Sequence, residues 1–167
     1  YEIEKIAKLK KRKVQIGIRL NPNTDAKTLS QISTGKKENK FGVNNKTFIE
    51  IVNFCKKSKN IELKCLSVHI GSQILDHKPY EKMLEVISKI LNKINHKFEF
   101  IDLGGGMGIS YGENNKKLNY KKYNLSIKKF LKKHNSKIIF EPGRSIVGNT
   151  GVLVSKVIYI KNNSGNN

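Results

Sequence analysis

The 167-residue chain has no tryptophan, two cysteines, three prolines and only three arginines, Arg12, Arg19 and Arg144. Cys55 and Cys65 form no C-x-x-C pair, and no histidine is spaced to complete a metal site with them, so we expect reduced thiols and no metal. No apolar stretch approaches the roughly 18 to 20 residues that a membrane span requires, and no secretory signal is visible. We therefore expect a cytoplasmic protein with no membrane partner.

The shortage of arginine also bears on the charge of the chain. Its formal net charge is +20, with 33 lysines and arginines against 13 aspartates and glutamates. Such a charge would normally suggest nucleic-acid binding. Nucleic-acid readers, however, cluster arginine and aromatic side chains on one face, whereas these lysines lie on the polar sides of predicted helices and in loops. We expect a solvated, lysine-rich surface and no specific nucleic-acid partner.

The most distinctive stretch is FEFIDLGGGMGIS, residues 98–110. A β-prone apolar run stops at three consecutive glycines, Gly104, Gly105 and Gly106, which predicts a strand that enters a loop with almost no side chains. Such loops are found where another group approaches the backbone closely, and a phosphate held by main-chain N–H groups is the usual one. A tight turn between a strand and a helix is the alternative interpretation.

Two common phosphate loops are excluded. A dinucleotide fingerprint that begins at Gly104 would need glycine where Ile109 stands. The segment GRSIVGNT, residues 143–150, has Asn149 where a P-loop needs the lysine that reaches the β- and γ-phosphates.

Predicted strands alternate with amphipathic helices in units of about 35 to 40 residues, which implies a parallel sheet, either open or closed into a barrel. The unusual residues Arg19, His69, Glu141 and Arg144 follow the carboxyl ends of successive strands, as does the glycine loop. Active sites of (β/α) barrels form at that end, so we predict half of a barrel. The predicted strands span 14–20, 63–70, 98–103 and 137–140, the helices 1–13, 47–59, 79–94 and 120–134, and a last β-rich run 152–160.

Four segments occur in the order typical of one enzyme family. They are the stretch from RLNP (19–22) through STG (33–35) to ENKFG (38–42), then VHIGSQ (68–73), DLGGG (102–106) and EPGR (141–144). Together they resemble the pyridoxal-phosphate-dependent group IV decarboxylases with an alanine-racemase-like barrel. The resemblance implies the C-terminal half of a (β/α)8 barrel over 1–150 and the start of a truncated C-terminal β domain over 151–167.

The resemblance implies pyridoxal 5'-phosphate as cofactor and assigns most of its contacts. Gly106 is the best single candidate in a phosphate cradle. The residues that match cofactor-binding positions of the family are Ser72, Gly104, Gly105, Gly106, Glu141, Pro142, Gly143 and Arg144.

Two of the matching residues have catalytic roles in such enzymes. His69 matches the histidine that stacks on the cofactor ring, and Glu141 the carboxylate that faces the pyridine nitrogen. Arg144 matches an arginine that serves the cofactor phosphate or a substrate carboxylate, both of which suit a planar guanidinium. Standing alone, His69 could be a structural histidine and Glu141 a capping residue. Arg19 receives a structural role by default, paired with an acidic neighbour inside the barrel.

The chain also lacks residues that the family needs. The lysine that carries the cofactor lies upstream of Tyr1 in the family, and the general-acid cysteine lies beyond Asn167, so neither Cys55 nor Cys65 matches it. We therefore expect this chain alone to be inactive, and to be unstable because half a barrel leaves strand edges unpaired.

The resemblance also covers the long loop with ISTG (32–35) and KENKFG (37–42), and it implies the branch of the family that decarboxylates meso-diaminopimelate to L-lysine, with homodimers that share active sites. Decarboxylases of another basic amino acid or a carboxylated polyamine (ornithine, arginine, carboxynorspermidine) remain the alternative within the cofactor class. A barrel that binds the cofactor without turnover is the alternative outside it.

Overall fold

The computed structural model describes residues 1–9, 13–26, 34–35, 40–112 and 116–161. Within these residues, helices alternate with strands along the chain, as the sequence predicts. The elements are α1 (Glu2–Ala7), β1 (Val14–Arg19), α2 (Asn45–Lys57), β2 (Ile61–Ser67), α3 (Lys78–Leu91), β3 (Phe100–Asp102), α4 (Tyr120–Leu131), β4 (Lys137–Ile139) and α5 (Arg144–Val147).

The four strands form one parallel sheet in which each strand pairs with its successor in the chain, in the order β1-β2-β3-β4. A doubly wound sheet would reverse its strand order at a switch point, and a barrel does not. The predicted α/β fold with a parallel sheet is therefore confirmed. The register places Arg19, Ser67, Asp102 and Ile139 in one row at the carboxyl ends of the strands.

The helices are positioned by local signals that the sequence carries. The side chain of Asn44 accepts a hydrogen bond from the amide of Thr47 at the start of α2, and Asn119 does the same for Lys122 at the start of α4. These caps satisfy amides that have no partner within the helix. The apolar faces of the helices cover one side of the sheet and form a core whose most buried large side chains are Tyr80, Phe48, Phe98, Leu20, Leu66, Ile70, Ile74, Met83, Ile87, Ile101, Leu103 and Val52.

The structure differs from the sequence predictions at element ends and in the last described segment. The strand predicted over 63–70 spans Ile61–Ser67, and the one predicted over 98–103 spans Phe100–Asp102. The β-rich run over 152–160 forms no strand in the structure, and Leu153 is 95% exposed. A β-prone run becomes a strand only where another strand supplies hydrogen-bond partners.

Helix α5 was not predicted, since four residues carry no periodic signal. Among the described residues, no helix has the length and apolarity needed to cross a membrane.

Candidate functional site

The loops after β2, β3 and β4 are joined to one another by backbone hydrogen bonds. The amide of Glu141 donates to the carbonyl of Gly104 at 2.9 Å, and the amide of Ile74 donates to the carbonyl of Gly106, also at 2.9 Å. The structure therefore brings the predicted site segments together at the carboxyl end of the sheet. His69 lies in the same place, next to the glycine loop.

The glycines are required because protein backbone from the other two loops approaches them. Gly104 and Gly106 have φ values of +65° and +84°, a region that side chains other than glycine rarely adopt. A Cβ atom on Gly105 would overlap the carbonyl oxygen of Glu141, and one on Gly106 would overlap that of Gly71. We expected a ligand to impose this requirement, whereas the contacts within the protein already do so.

The three glycine amides differ in whether a protein atom accepts their hydrogen bond. The amide of Gly104 donates to Oδ1 of Asp102 at 2.8 Å, and the amide of Gly105 donates to Nδ1 of His69 at 3.2 Å. For the amide of Gly106, the structure records no acceptor among the residues it describes. Gly106 therefore has the one amide of the triplet that can donate to a bound anion without breaking a protein hydrogen bond.

His69 is held as a neutral imidazole. Because Nδ1 accepts the hydrogen bond from Gly105, the proton of the neutral ring is assigned to Nε2. Burial lowers the pKa of His69, and the nearby positive charge of Arg19 lowers it further, while the carboxylates of Glu141 and Asp102 act in the opposite direction. The ring thus carries no charge at neutral pH, which suits a flat contact with a heteroaromatic ring.

The segment that bears His69 is also tied to the long loop. The hydroxyl of Thr34 donates to the carbonyl of His69 at 2.9 Å, and the amide of Thr34 donates to the carbonyl of Ile70 at 3.2 Å. Residues 27–33 and 36–39 of this loop lie outside the described residues, including Ser33, Glu38 and Asn39 of the predicted motif.

Arg144 joins two other loops. Its Nε and Nη2 atoms both lie 3.3 Å from Oγ of Ser72, and its Nη1 donates to the hydroxyl of Tyr111 at 2.7 Å. The Nε and Nη2 edge is one of the guanidinium edges that can bind an anion in a bidentate manner. Ser72, predicted to contact the phosphate, and Arg144, predicted to bind the phosphate or a substrate carboxylate, therefore contact each other.

Arg19 has a different environment from the one we predicted. Its guanidinium carbon lies 5.2 Å from the centre of the Phe41 ring, a cation–π arrangement. Within the described part of the chain, no carboxylate lies at ion-pair distance from Arg19. Its effect on the pKa of His69 places its positive charge near the site.

Sequence reasoning missed three residues that shape the glycine loop. The buried hydroxyl of Tyr80 donates to the carbonyl of Gly105 at 3.1 Å. The side-chain amide of Gln73 donates to the carbonyl of Ile109 at 2.6 Å and accepts from its amide at 3.2 Å. The third residue is Tyr111, whose hydroxyl accepts the hydrogen bond from Arg144. Gln73 ends the VHIGSQ motif and could have been singled out, but the sequence gives no signal for Tyr80 or Tyr111.

The two cysteines lie outside this network of loops. Cys55 is buried in α2 and Cys65 is partly buried in β2, and both are free thiols. Burial raises the pKa of each thiol, so neither is a reactive thiolate at neutral pH. Among the described residues, no group of three His, Cys, Asp or Glu side chains could hold a metal ion.

Comparison with known proteins identifies the family. Residues 1–148 match the pyridoxal binding domain of the pyridoxal-dependent decarboxylases. The chain belongs to this family. The chain is 43% identical over 162 residues to the diaminopimelate decarboxylase of Helicobacter pylori, and 37% identical over 153 residues to that of Aquifex aeolicus. The first alignment covers 95% of this chain and 40% of the relative, the second 90% and 36%.

Solved structures give the same picture. The structure of H. pylori diaminopimelate decarboxylase complexed with L-lysine matches with a TM-score of 0.80 and 41% identity, over 87% of this chain and 38% of that one. An arginine decarboxylase from Paramecium bursaria Chlorella virus, bound to agmatine, matches with a TM-score of 0.62 and 26% identity, over 86% and 37%. The chain thus spans about two-fifths of the length of the relatives it matches.

Proposed function

We propose that the protein carrying this chain is a diaminopimelate decarboxylase, which removes CO₂ from the D-centre of meso-diaminopimelate to give L-lysine. The observation that carries the proposal is the 43% identity to the H. pylori enzyme over 95% of the chain. The site geometry supports the cofactor class. Groups that can donate to an anion, the Gly106 amide, the Ser72 hydroxyl and the Arg144 guanidinium, lie at the same end of the sheet as the neutral imidazole of His69.

The residues present fit pyridoxal 5'-phosphate. The amide of Gly106, which has no acceptor among the described residues, the Ser72 hydroxyl and the Arg144 guanidinium can all donate to the phosphate. Gly104 and Gly105 contribute the shape of the cradle, because their amides already bind Asp102 and His69. Pro142 and Gly143 complete the turn between Glu141 and Arg144.

When bound, the cofactor supplies an electron sink for the electron pair that remains after CO₂ leaves. In the proposed reaction the carboxylate of Glu141 would hold a proton on the ring nitrogen of the cofactor, which would favour its positively charged form. The neutral ring of His69 would lie against the cofactor and exclude water from it. Arg144 binds an anion, which is the cofactor phosphate or a carboxylate of the substrate.

Three finer proposals accompany this function. The lysine that carries the cofactor and the general-acid cysteine are proposed to lie in parts of the protein that this chain does not include, so the chain alone is inactive. Residues 151–167 are proposed to lead into a β domain, and the complete enzyme is proposed to be a cytoplasmic homodimer. Exposed apolar side chains over 152–160 support the second of these, since they need a partner to cover them.

The test is an assay of the full-length protein, loaded with pyridoxal 5'-phosphate, against meso-diaminopimelate, ornithine and arginine, with CO₂ release as the readout. We expect turnover of diaminopimelate and formation of L-lysine. Glu141→Gln should lower kcat by roughly 100-fold, because a neutral amide no longer holds the ring-nitrogen proton. The variant Glu50→Gln, on the exposed side of α2, is the matched control and should leave kcat unchanged.

The second candidate function is decarboxylation of another basic amino acid, favoured by the structural likeness to the viral arginine decarboxylase. Turnover of arginine or ornithine without turnover of diaminopimelate would establish this candidate and refute the first. Binding of the cofactor without release of CO₂ from any of these amino acids would instead indicate a non-catalytic barrel.

A further inference from the structure

Tyr111 makes the shortest side-chain contact of the arginine at the site. Its hydroxyl accepts a hydrogen bond from Nη1 of Arg144 at 2.7 Å, and the guanidinium carbon lies 5.6 Å from the centre of the Tyr111 ring. Tyr111 is 65% exposed, so it contributes little to the core. Burial of the Tyr111 ring therefore does not explain why Tyr111 contacts Arg144.

An arginine that binds an anion needs its guanidinium plane held in place. The side chain is long, and each unrestrained rotatable bond reduces the fraction of time that the Nε and Nη2 edge faces the anion. In this structure that edge faces Oγ of Ser72, while Nη1, on the opposite side of the group, is held by Tyr111. The two contacts together define the plane of the guanidinium.

Tyr111 is itself held by the loop that follows the glycines. Ile109, two residues earlier, is clasped through both its amide and its carbonyl by the side chain of Gln73. The side chain of Ile109 also packs closely against Gly148, whose amide donates to the carbonyl of Arg144 at 2.8 Å. The loop and the short helix that bears the arginine are thus in contact through Ile109 and Gly148 as well as through the Arg144–Tyr111 pair.

We propose that Tyr111 is a positioning residue that orients the Arg144 guanidinium toward a bound anion. The inference rests on the proposed function, because the anion is either the phosphate of the cofactor or a carboxylate of the amino-acid substrate. Tyr111 would act through Arg144, the residue that its hydroxyl contacts.

The test uses the full-length protein with Tyr111→Phe, which keeps the ring and removes the acceptor, and Tyr111→Leu, which removes both. Titration of the apoprotein with pyridoxal 5'-phosphate and with pyridoxal, which has no phosphate, separates anion binding from ring binding. Steady-state kinetics give KM and kcat. Tyr1→Phe removes an equivalent hydroxyl from a residue that is 82% exposed and is the matched control.

We expect Tyr111→Phe to weaken the binding of one anion about three- to tenfold, the range for one lost hydrogen bond. We expect kcat and the melting temperature to stay nearly unchanged. Weaker pyridoxal 5'-phosphate binding with unchanged pyridoxal binding identifies the phosphate as the anion. A higher KM alone identifies the substrate carboxylate. The proposal is overturned if both affinities and KM stay within twofold of the wild type in both variants.

Failure of this proposal can be distinguished from failure of the proposed function. A wild-type protein that binds the cofactor but does not release CO₂ from diaminopimelate refutes the function. The comparison of the two titrations then still decides whether Tyr111 orients Arg144 toward the phosphate.

Discussion

Tyr80 and Tyr123 stack in the core with ring centroids 4.3 Å apart, but only the Tyr80 hydroxyl has a hydrogen-bond partner. Tyr80 donates to the carbonyl of Gly105, whereas the Tyr123 hydroxyl is buried without a partner among the residues described. Burial raises the pKa of both hydroxyls, so both keep their protons at neutral pH. The pair links the glycine loop to helices α3 and α4, and it offers a matched comparison.

Tyr80→Phe should lower the free energy of unfolding by about 1 to 3 kcal/mol, because it leaves a buried carbonyl without its donor. Tyr123→Phe should be neutral or slightly stabilising, since it removes a buried hydroxyl that makes no hydrogen bond. Denaturant unfolding of the two variants of the full-length apoprotein measures the difference. Equal destabilisation by both substitutions would show that the bond to Gly105 contributes nothing.

Gly106→Ala should destabilise the glycine loop by more than about 2 kcal/mol and abolish tight cofactor binding. Its positive φ costs about 1 to 2 kcal/mol for alanine, and the new methyl group would overlap the carbonyl oxygen of Gly71. Gly112→Ala is the control, since no described residue beyond its chain neighbours lies within 4 Å of the Cβ it would add, and its effect should stay within about 0.5 kcal/mol. Thermal unfolding and cofactor titration measure both variants, and a tolerant Gly106 would contradict the described backbone.

The lowered pKa of His69 predicts that the folded protein becomes less stable at acidic pH. Burial lowers its pKa in the folded protein below the ordinary value of 6.5. Below about pH 6.5 the unfolded chain therefore binds a proton at His69 that the folded protein does not bind. The contribution of the neutral His69 to folding stability is thus complete above pH 6.5 and is lost as the pH falls. The melting temperature of the apoprotein between pH 8 and pH 5 measures the effect.

His69→Asn should flatten that pH profile, because its side-chain oxygen can still accept from Gly105 but does not titrate in this range. His134, whose pKa burial also lowers, contributes in the same direction, so His134→Gln is the comparison variant. A His69→Asn profile parallel to that of the wild type would refute the role assigned to burial of His69.

Gln73→Met should speed amide hydrogen exchange at Ile109 by about tenfold, because it removes both hydrogen bonds that hold this residue. The amide of Gly108 donates to the carbonyl of Ile74 at 3.0 Å and serves as the internal control. Exchange of the Gly108 amide should not change. Equal acceleration at both amides would mean that the whole loop opens and that the clasp has no local effect.

Much of the fold follows from local patterns. Alternation of strands with amphipathic helices predicted a parallel sheet, and the β1-β2-β3-β4 order agrees with a barrel. Strand ends were less predictable, because a strand ends where its neighbour stops pairing. Ser67 is the last residue of β2 because its partner Asp102 is the last of β3, although the apolar run continues to Ile70. The run over 152–160 forms no strand because no described strand lies beside it.

The site follows the same division. His69, the three glycines and Glu141 were predicted from short motifs, each of which is a continuous stretch of the sequence. Tyr80 and Tyr111 could not be found in this way, since they contact Gly105 from 25 residues away and Arg144 from 33. Neither tyrosine belongs to a sequence motif that would have indicated its contact.

The amino-acid sequence by itself determined the alternation of elements, the caps of α2 and α4 and the set of site motifs, because periodicity, capping and glycine tolerance depend on neighbours along the chain. Only the tertiary structure decided that Gly106 keeps a free amide among the described residues, that Nδ1 of His69 is an acceptor and that Arg144 lies between Ser72 and Tyr111. Each of these depends on atoms that folding brings together from separate loops.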